Sequence, residues 1–168
     1  MKAQPGRDCP LCPRLAAFRA ENRIAYPEFH NAPVPSFADR GPPRLLIVGL
    51  APGLKGANRT GRPFTGDYAG DLLYATLLKF GFAAGDYDER ADDGLSLVRT
   101  RITNAVRCVP PENKPTPAEI NTCNRFLTAE LGALGAGADL RVIVALGTIA
   151  HAAVLRALGL KPSRHAFG

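Results

Sequence analysis

No run of apolar residues in this chain approaches the roughly 20 that a membrane-crossing helix requires, and the N-terminal stretch MKAQPGRDCPLC lacks the apolar core of a secretory signal. No membrane partner is expected, and the cytoplasm is the expected compartment. Cysteine is scarce, with four residues in 168. In a reducing compartment a disulfide framework is disfavoured and metal ligation becomes the better use of them. Internal repeats and low-complexity tails are missing, which sets aside repeat architectures. Two phosphate-binding signatures are absent too: Lys55 precedes Gly56, so Gly-x-x-x-x-Gly-Lys-Ser/Thr does not occur, and neither does Gly-x-Gly-x-x-Gly.

Acidic residues are in the minority. Fifteen Asp and Glu against 21 Lys and Arg leave a net charge of +6 and a pI near 9.5, which favours an acidic partner, nucleic acid first. A basic surface that serves only solubility accounts for a charge of this size equally well.

Length predicts one domain over 1–168, with an N-terminal arm over 1–43. Three apolar runs, Leu45 to Leu50, Ile102 to Val106 and Val142 to Leu146, have the pattern of strands buried on both faces. Helical patterns follow each one. Leu72, Leu73, Leu77 and Phe80 end at Gly81; Thr116-Pro117-Ala118-Glu119 is a capping box before the stripe Ile120, Leu127, Leu131, Leu134; Ile149 to Leu158 stops at Gly159. This alternation predicts an α/β fold, a three-layer α/β/α sandwich with a central parallel sheet. A short helix around Leu15 to Asn22, an extended proline-rich crossing over Pro27 to Pro43 and an acidic exposed loop over Asp86 to Gly94 complete the layout. The chain stops at His165-Ala166-Phe167-Gly168, where another strand is expected, so the sheet edge should be unpaired.

The chemistry concentrates in Gly49 to Asp67, GLAPGLKGANRTGRPFTGD, with glycine at five positions. Such a loop brings bare backbone N–H groups close to a flat or anionic ligand. Arg59 and Arg62 suit phosphates or, as salt-bridged turn residues, nearby carboxylates such as Asp67 and Asp71. Phe64 stands in this polar loop with no apolar neighbour at regular spacing, a position suited to stacking on a base, which contributes about 1–3 kcal/mol. Asn104 interrupts an apolar strand near its carboxyl end. It either satisfies its own backbone or offers a donor and an acceptor to a pyrimidine edge.

Cys9 and Cys12 form a Cys-x-x-Cys turn, while Cys108 and Cys123 are separated by 14 residues. Four thiolates suit tetrahedral zinc or a four-iron cluster. One tight and one wide pair, with Pro10 and Pro13 beside the first, lean toward iron and sulfur with zinc as the alternative, and the centre should pin the arm structurally.

Together GLAPG, RTGRPFTGD, TNAVRC-x-PP-x-NKPTPAEI-x-x-C and VIVALG resemble the uracil-DNA glycosylase superfamily, closest to its iron–sulfur family 5, over nearly the whole chain from Cys9. The resemblance implies an α/β/α sandwich on a four-stranded parallel sheet and a monofunctional DNA repair hydrolase. Such an enzyme acts, as a monomer, on uracil-containing DNA and leaves an abasic site. Gly49, Leu50, Ala51, Pro52 and Gly53 would line the flipped nucleotide, with Arg59 and Arg62 at the DNA. Phe64 would stack on the base and Asn104 would read its edge. Cys9, Cys12, Cys108 and Cys123 would hold a [4Fe–4S] cluster. Related families carry an acidic or amide side chain just after the first motif glycine. Here Leu50 and Ala51 stand there, so catalysis would fall to fixed dipoles, with Asn58 orienting the attacking water. The family's terminal His-Pro-Ser motif has no counterpart before Gly168. A non-catalytic iron–sulfur DNA-binding module is the alternative of another class.

Overall fold

The computed structural model describes residues 3–38, 41–135 and 139–167. Asp39 and Arg40 of the predicted crossing segment, and Gly168 at the chain end, lie outside them. In chain order the elements are α1 (Pro13–Ala25), β1 (Phe37–Ala38), β2 (Leu45–Gly49), α2 (Ala57–Thr60), α3 (Tyr68–Lys79), β3 (Ala83–Ala84), β4 (Ser96–Leu97), β5 (Thr100–Asn104), α4 (Pro117–Gly135), β6 (Val142–Ala145) and α5 (Thr148–Ala157). Among the described residues no helix is long and apolar enough to cross a membrane.

The main sheet has the order β1-β5-β2-β6. β2 runs parallel to β5 on one side and to β6 on the other, while β1 joins β5 antiparallel. The sheet is thus four-stranded as expected but only three of its strands are parallel. The fourth is a two-residue piece of the crossing segment. Alternation along β2 sends Leu46 and Val48 to one face, against Leu127, Leu131, Ala150 and Val154 of α4 and α5. Ile47 goes to the other, with Ile102 against Tyr74 and Leu77 of α3. These are the three layers, and each fully buried aliphatic side chain contributes about 1.5–3 kcal/mol. A third cluster seats the arm: Leu15 of α1 meets Val106, Ile120 and Phe126, with Cys9, Cys12 and Ala51 packed on it.

The expected caps form. Glu119 N–H donates to Thr116 Oγ1 at 3.3 Å and Thr116 N–H returns to Glu119 Oε2 at 2.7 Å, the reciprocal pair that starts α4. α1 is longer than its predicted core, and α2 and the β3–β4 hairpin were not anticipated, being too short to carry a periodicity. The strand at the other edge is β6. Among the described residues nothing pairs with its far side, and Val142 is 51% exposed.

One polar network crosses this apolar frame. Glu130 of α4, 1% exposed, accepts from Arg107 Nη2 at 2.5 Å, from Arg101, from Ser36 Oγ at 2.5 Å and from Thr103 Oγ1 at 3.3 Å. Arg107 Nη1 also donates to Ser36 at 2.8 Å. The network ties the segment before β1, β5 and α4 to the turn that follows β5. Burial works to raise the Glu130 pKa, but Arg107 and Arg101 outweigh it and hold the carboxyl below its ordinary 4.5. Glu119, bonded by Arg14 at 2.7 Å, is lowered too, again against burial.

Two outcomes are expected. Glu130→Gln leaves the Arg107 charge buried without a counter-ion and should cost about 3–5 kcal/mol in urea denaturation; a loss under about 1 kcal/mol would contradict the network's role. For pH, an unfolded carboxyl takes up its proton near 4.5 while folded Glu119 and Glu130 do so lower. Their contribution is therefore complete above 4.5 and is lost as pH falls through the folded values. Melting temperature should be level above that point and fall below it.

Candidate active site

Parallel pairing sets Gly49, the last residue of β2, directly beside Asn104, the last of β5. A Cβ on Gly49 would lie 2.5 Å from Asn104 Oδ1 and 2.5 Å from Phe64 Cζ. Only a glycine lets the amide and the ring meet over the strand end. Asn104 is 3% exposed, and among the described residues no group hydrogen-bonds its side-chain amide, which leaves the amide open to a ligand. The backbone-satisfying alternative for Asn104 is not the one adopted.

Phe64 has φ 53°, a left-handed conformation that costs a bulky residue about 1–3 kcal/mol. The surroundings hold it there. Tyr74 O–H donates to the Pro63 carbonyl at 2.6 Å, and a Cβ on Gly70 would sit 1.9 Å from the Phe64 carbonyl oxygen, so α3 runs against that carbonyl. Asp67, the N-cap of α3, accepts from Gly70 N–H at 2.9 Å through Oδ1.

These groups line a cleft of about 560 Å³ at the carboxyl ends of β2, β5 and β6, where open α/β sheets bind ligands. Gly49, Leu50, Ala51 and Gly53 form its floor, Phe64 and Asn104 stand together over Gly49, and Leu72 and Leu73 of α3 supply an apolar wall. Leu146 and Asn113, the latter at φ 57°, close the rim. Among the described residues Asp67 is the one carboxylate in the lining, and its Oδ2 lies against the backbone at Gly56, where a Cβ would come within 2.5 Å. In sequence Asp67 reads only as a nearby carboxylate for Arg59 and Arg62. Nothing in the spacing pointed to it as part of the cleft, and no pattern pointed to Asn113 or Leu146.

Four expected site residues sit elsewhere. Arg62 is 4% exposed and makes a two-pronged bond to Asp93, 2.8 and 2.7 Å, among the rings of Phe37, Tyr74 and Tyr87. It is a buried structural cation, not a phosphate contact, and its partner is neither Asp67 nor Asp71. Burial works to raise the Asp93 pKa, but Arg62 and the Asp88 and Leu95 N–H groups hold it well below the usual carboxylate range. The Asp86–Gly94 loop is exposed as expected except at Tyr87 and at this Asp93 anchor. Asn58, 1% exposed, donates through Nδ2 to Asn31 Oδ1 at 2.9 Å and lies outside the cleft lining, so it does not orient a water there. Pro52 is buried behind the floor. Arg59 gives Nε to the Lys55 carbonyl at 2.7 Å and rims a different hollow of about 720 Å³, whose Asp71, Asp86, Asp88 and Glu89 make it unsuited to DNA.

The four cysteines, all unpaired, line one small cavity between α1 and the start of α4. Arg19, 6% exposed, approaches Cys108 Sγ with Nη1 at 3.7 Å, and the Arg107 N–H donates to Cys123 Sγ at 3.4 Å. Burial pushes the Cys12 thiol up to about 11 and Cys108 to about 12. Among the described residues no group of three or more His, Cys, Asp or Glu side chains could hold a single metal ion. The four thiols share one cavity, the donor set that a thiolate-held centre requires. A cation and an N–H aimed at sulfur fit a negatively charged thiolate centre.

The cleft and the layering define the chain as an α/β/α protein with a ligand-sized cleft at the strand ends. The sequence profile of the uracil DNA glycosylase superfamily matches residues 35–167, and the chain belongs to that superfamily. It is 46% identical over 164 residues to a type-5 uracil-DNA glycosylase of Thermus thermophilus, covering 95% of this chain and 73% of that protein. A type-5 uracil-DNA glycosylase of Mycobacterium tuberculosis is 46% identical over 157 residues, 90% of this chain and 58% of its own length. A type-5 enzyme of Pyrobaculum aerophilum is 39% identical over 156 residues, 90% and 67%. The chain thus spans between 58% and 73% of the length of these curated relatives.

Gly49→Ala is expected to overpack the contact and cost about 1–3 kcal/mol in chemical denaturation. Combined with Phe64→Ala it should cost less than the sum of the two single changes. Additive losses would contradict the contact.

Proposed function

We propose that this chain is a DNA repair enzyme that hydrolyses the N-glycosidic bond of uracil in DNA and leaves an abasic site, acting as a monomer. The observation that carries the proposal is the meeting of Phe64 and Asn104 over Gly49, at the end of a parallel sheet, in a member of this superfamily. A flat ring and an unpaired amide in one cleft suit a base extruded from the duplex, stacked on one and hydrogen-bonded along its edge by the other.

The reaction cleaves the bond between sugar C1′ and uracil N1, the electron pair leaving with the base. Water adds its oxygen to C1′ and loses a proton. Positive charge builds on the sugar and negative charge on the uracil, so fixed dipoles placed at either end lower the barrier. The Asn104 amide and the backbone N–H groups of Gly49–Gly53 stabilise the departing anion. The Asp67 carboxylate, on the Gly56 side of the cleft, faces the sugar, where it offsets the cationic charge and can hold the incoming water. This function was assigned to Asn58 from sequence and passes to Asp67 because Asn58 is buried against Asn31. Among the described residues no histidine lines the cleft.

Cys9, Cys12, Cys108 and Cys123 would hold a [4Fe–4S] cluster. When bound, it supplies structure: it clamps the arm onto α4 beside Ala51, which packs on the cysteine cluster and also lines the cleft floor. The basic surface supports binding to the phosphate backbone, and affinity should fall steeply with salt.

Single-turnover incubation with an end-labelled duplex carrying one uracil, then hot alkali, tests the assignment. Cleavage at the uracil is expected, and Asn104→Ala should lower it by about 100-fold with DNA affinity little changed. Intact DNA after prolonged incubation with protein that binds it would contradict the enzyme and favour a binding module. Cys123→Ser should lose the broad visible absorbance of the cluster and melt at lower temperature. A colourless, fully folded wild type purified without oxygen would rule the cluster out.

A further inference from the structure

Phe64 is held from behind by residues that never reach the cleft. Its neighbours on both sides are fixed from the acidic segment between β3 and β4. Tyr87 O–H receives the Gly66 N–H at 3.3 Å and lies 3.5 Å from the Phe64 carbonyl oxygen, toward which it donates. The Tyr87 ring also packs at a tilt against Tyr74, centroids 4.7 Å apart, and Tyr74 holds the Pro63 carbonyl. Asp93, its side chain 0% exposed, locks Arg62 with two bonds, and Arg62 Nε donates to Thr65 Oγ1 at 2.8 Å. The Asp88 and Leu95 N–H groups close on the same Asp93 carboxylate, each at 3.0 Å, so the segment is tied at its base. Arg62, Pro63, Phe64, Thr65 and Gly66 are thus each gripped by an element outside the site or by a group so gripped. The phenylalanine at the centre adopts a backbone conformation that a bulky residue rarely takes unaided.

We propose that the Asp86–Gly94 segment is a remote positioning device for base recognition, in which Tyr87 and Asp93 hold the Arg62–Gly66 backbone so that the Phe64 ring faces the extruded base. The proposal rests on Phe64 as the stacking platform. It assigns work to a segment whose charge turns it away from DNA, and it explains why an exposed acidic loop buries one carboxylate completely. Tyr87 and Asp93 are positioning residues: neither lines the cleft.

A double-mutant cycle tests it. Tyr87→Phe keeps the ring against Tyr74 and Arg62 and removes only the hydroxyl. At saturating enzyme it should slow single-turnover uracil release by about threefold to tenfold, the worth of one neutral hydrogen bond. Duplex affinity and melting temperature should stay near wild type. In a Phe64→Ala background, itself slowed, Tyr87→Phe should change nothing further, because the ring through which it acts is gone. A role confined to general stability would give additive losses. Asp93→Asn should act in the same direction and be equally silent in that background; if it does not fold, the tyrosine cycle carries the test alone. An unchanged rate in Tyr87→Phe, or additive losses with Phe64→Ala, overturns the proposal and leaves the glycosylase assignment standing. Full release by Phe64→Ala, or none by wild type, overturns the stacking assignment and this proposal with it.

Discussion

The absence of one Cβ, at Gly49, is the constraint from which the site follows. Parallel register puts that residue beside Asn104, and the loop that leaves it returns Phe64 to within contact of the same point. Any side chain at 49 would push the amide and the ring apart. The sheet supplies rigidity at the strand ends, where neither partner can drift. α3 supplies the second wall and, through Gly70 and Tyr74, the pressure that keeps Phe64 in its left-handed conformation. The cleft is therefore preorganised: the cost of the unusual backbone is met by folding, before any ligand arrives.

Buried electrostatics hold the surroundings of that point. Glu130 with Arg107 and Arg101 anchors β5 to α4, and Asp93 with Arg62 anchors the motif loop to the acidic segment. Each is a charge that only its partner makes tolerable in the interior, so each fixes a connection that apolar packing alone would leave adjustable. The cysteine cavity is a third anchor, joined to the cleft through Ala51. Ala51 packs against the apolar cluster that holds Cys108 and Cys123 and also lines the cleft floor, which links the arm to the cleft.

Much of this was legible in the chain. Three branched apolar runs gave the parallel strands within a residue or two, although only β2 and β5 are buried on both faces; β6, read as equally buried, exposes Val142 and Val144 at the sheet edge. The Thr116–Glu119 box and the Phe64 and Asn104 anomalies could be read because each breaks a local expectation. What escaped was what depends on partners far along the chain. Arg62 and Asp93 are 31 residues apart, and no spacing says that a loop arginine turns inward. Asn58 looked available until Asn31, across the chain, took its amide. Asp67 read as a salt-bridge partner for the loop arginines, whereas it caps α3 and lines a cleft that exists only after folding. The short strand at Phe37–Ala38 lay in a segment whose prolines argued for extended coil, and it pairs only because β5 offers an edge.

The most direct measurement is a crystal structure of the protein bound to a duplex whose single uracil sits on a 2′-fluoro sugar that resists hydrolysis. The account predicts the uracil extruded into the 560 Å³ cleft, its face on Phe64 and its edge bonded to the Asn104 amide, with the Asp67 carboxylate on the sugar side. A uracil left stacked in the helix, or seated away from Gly49 with Phe64 and Asn104 untouched, would contradict it.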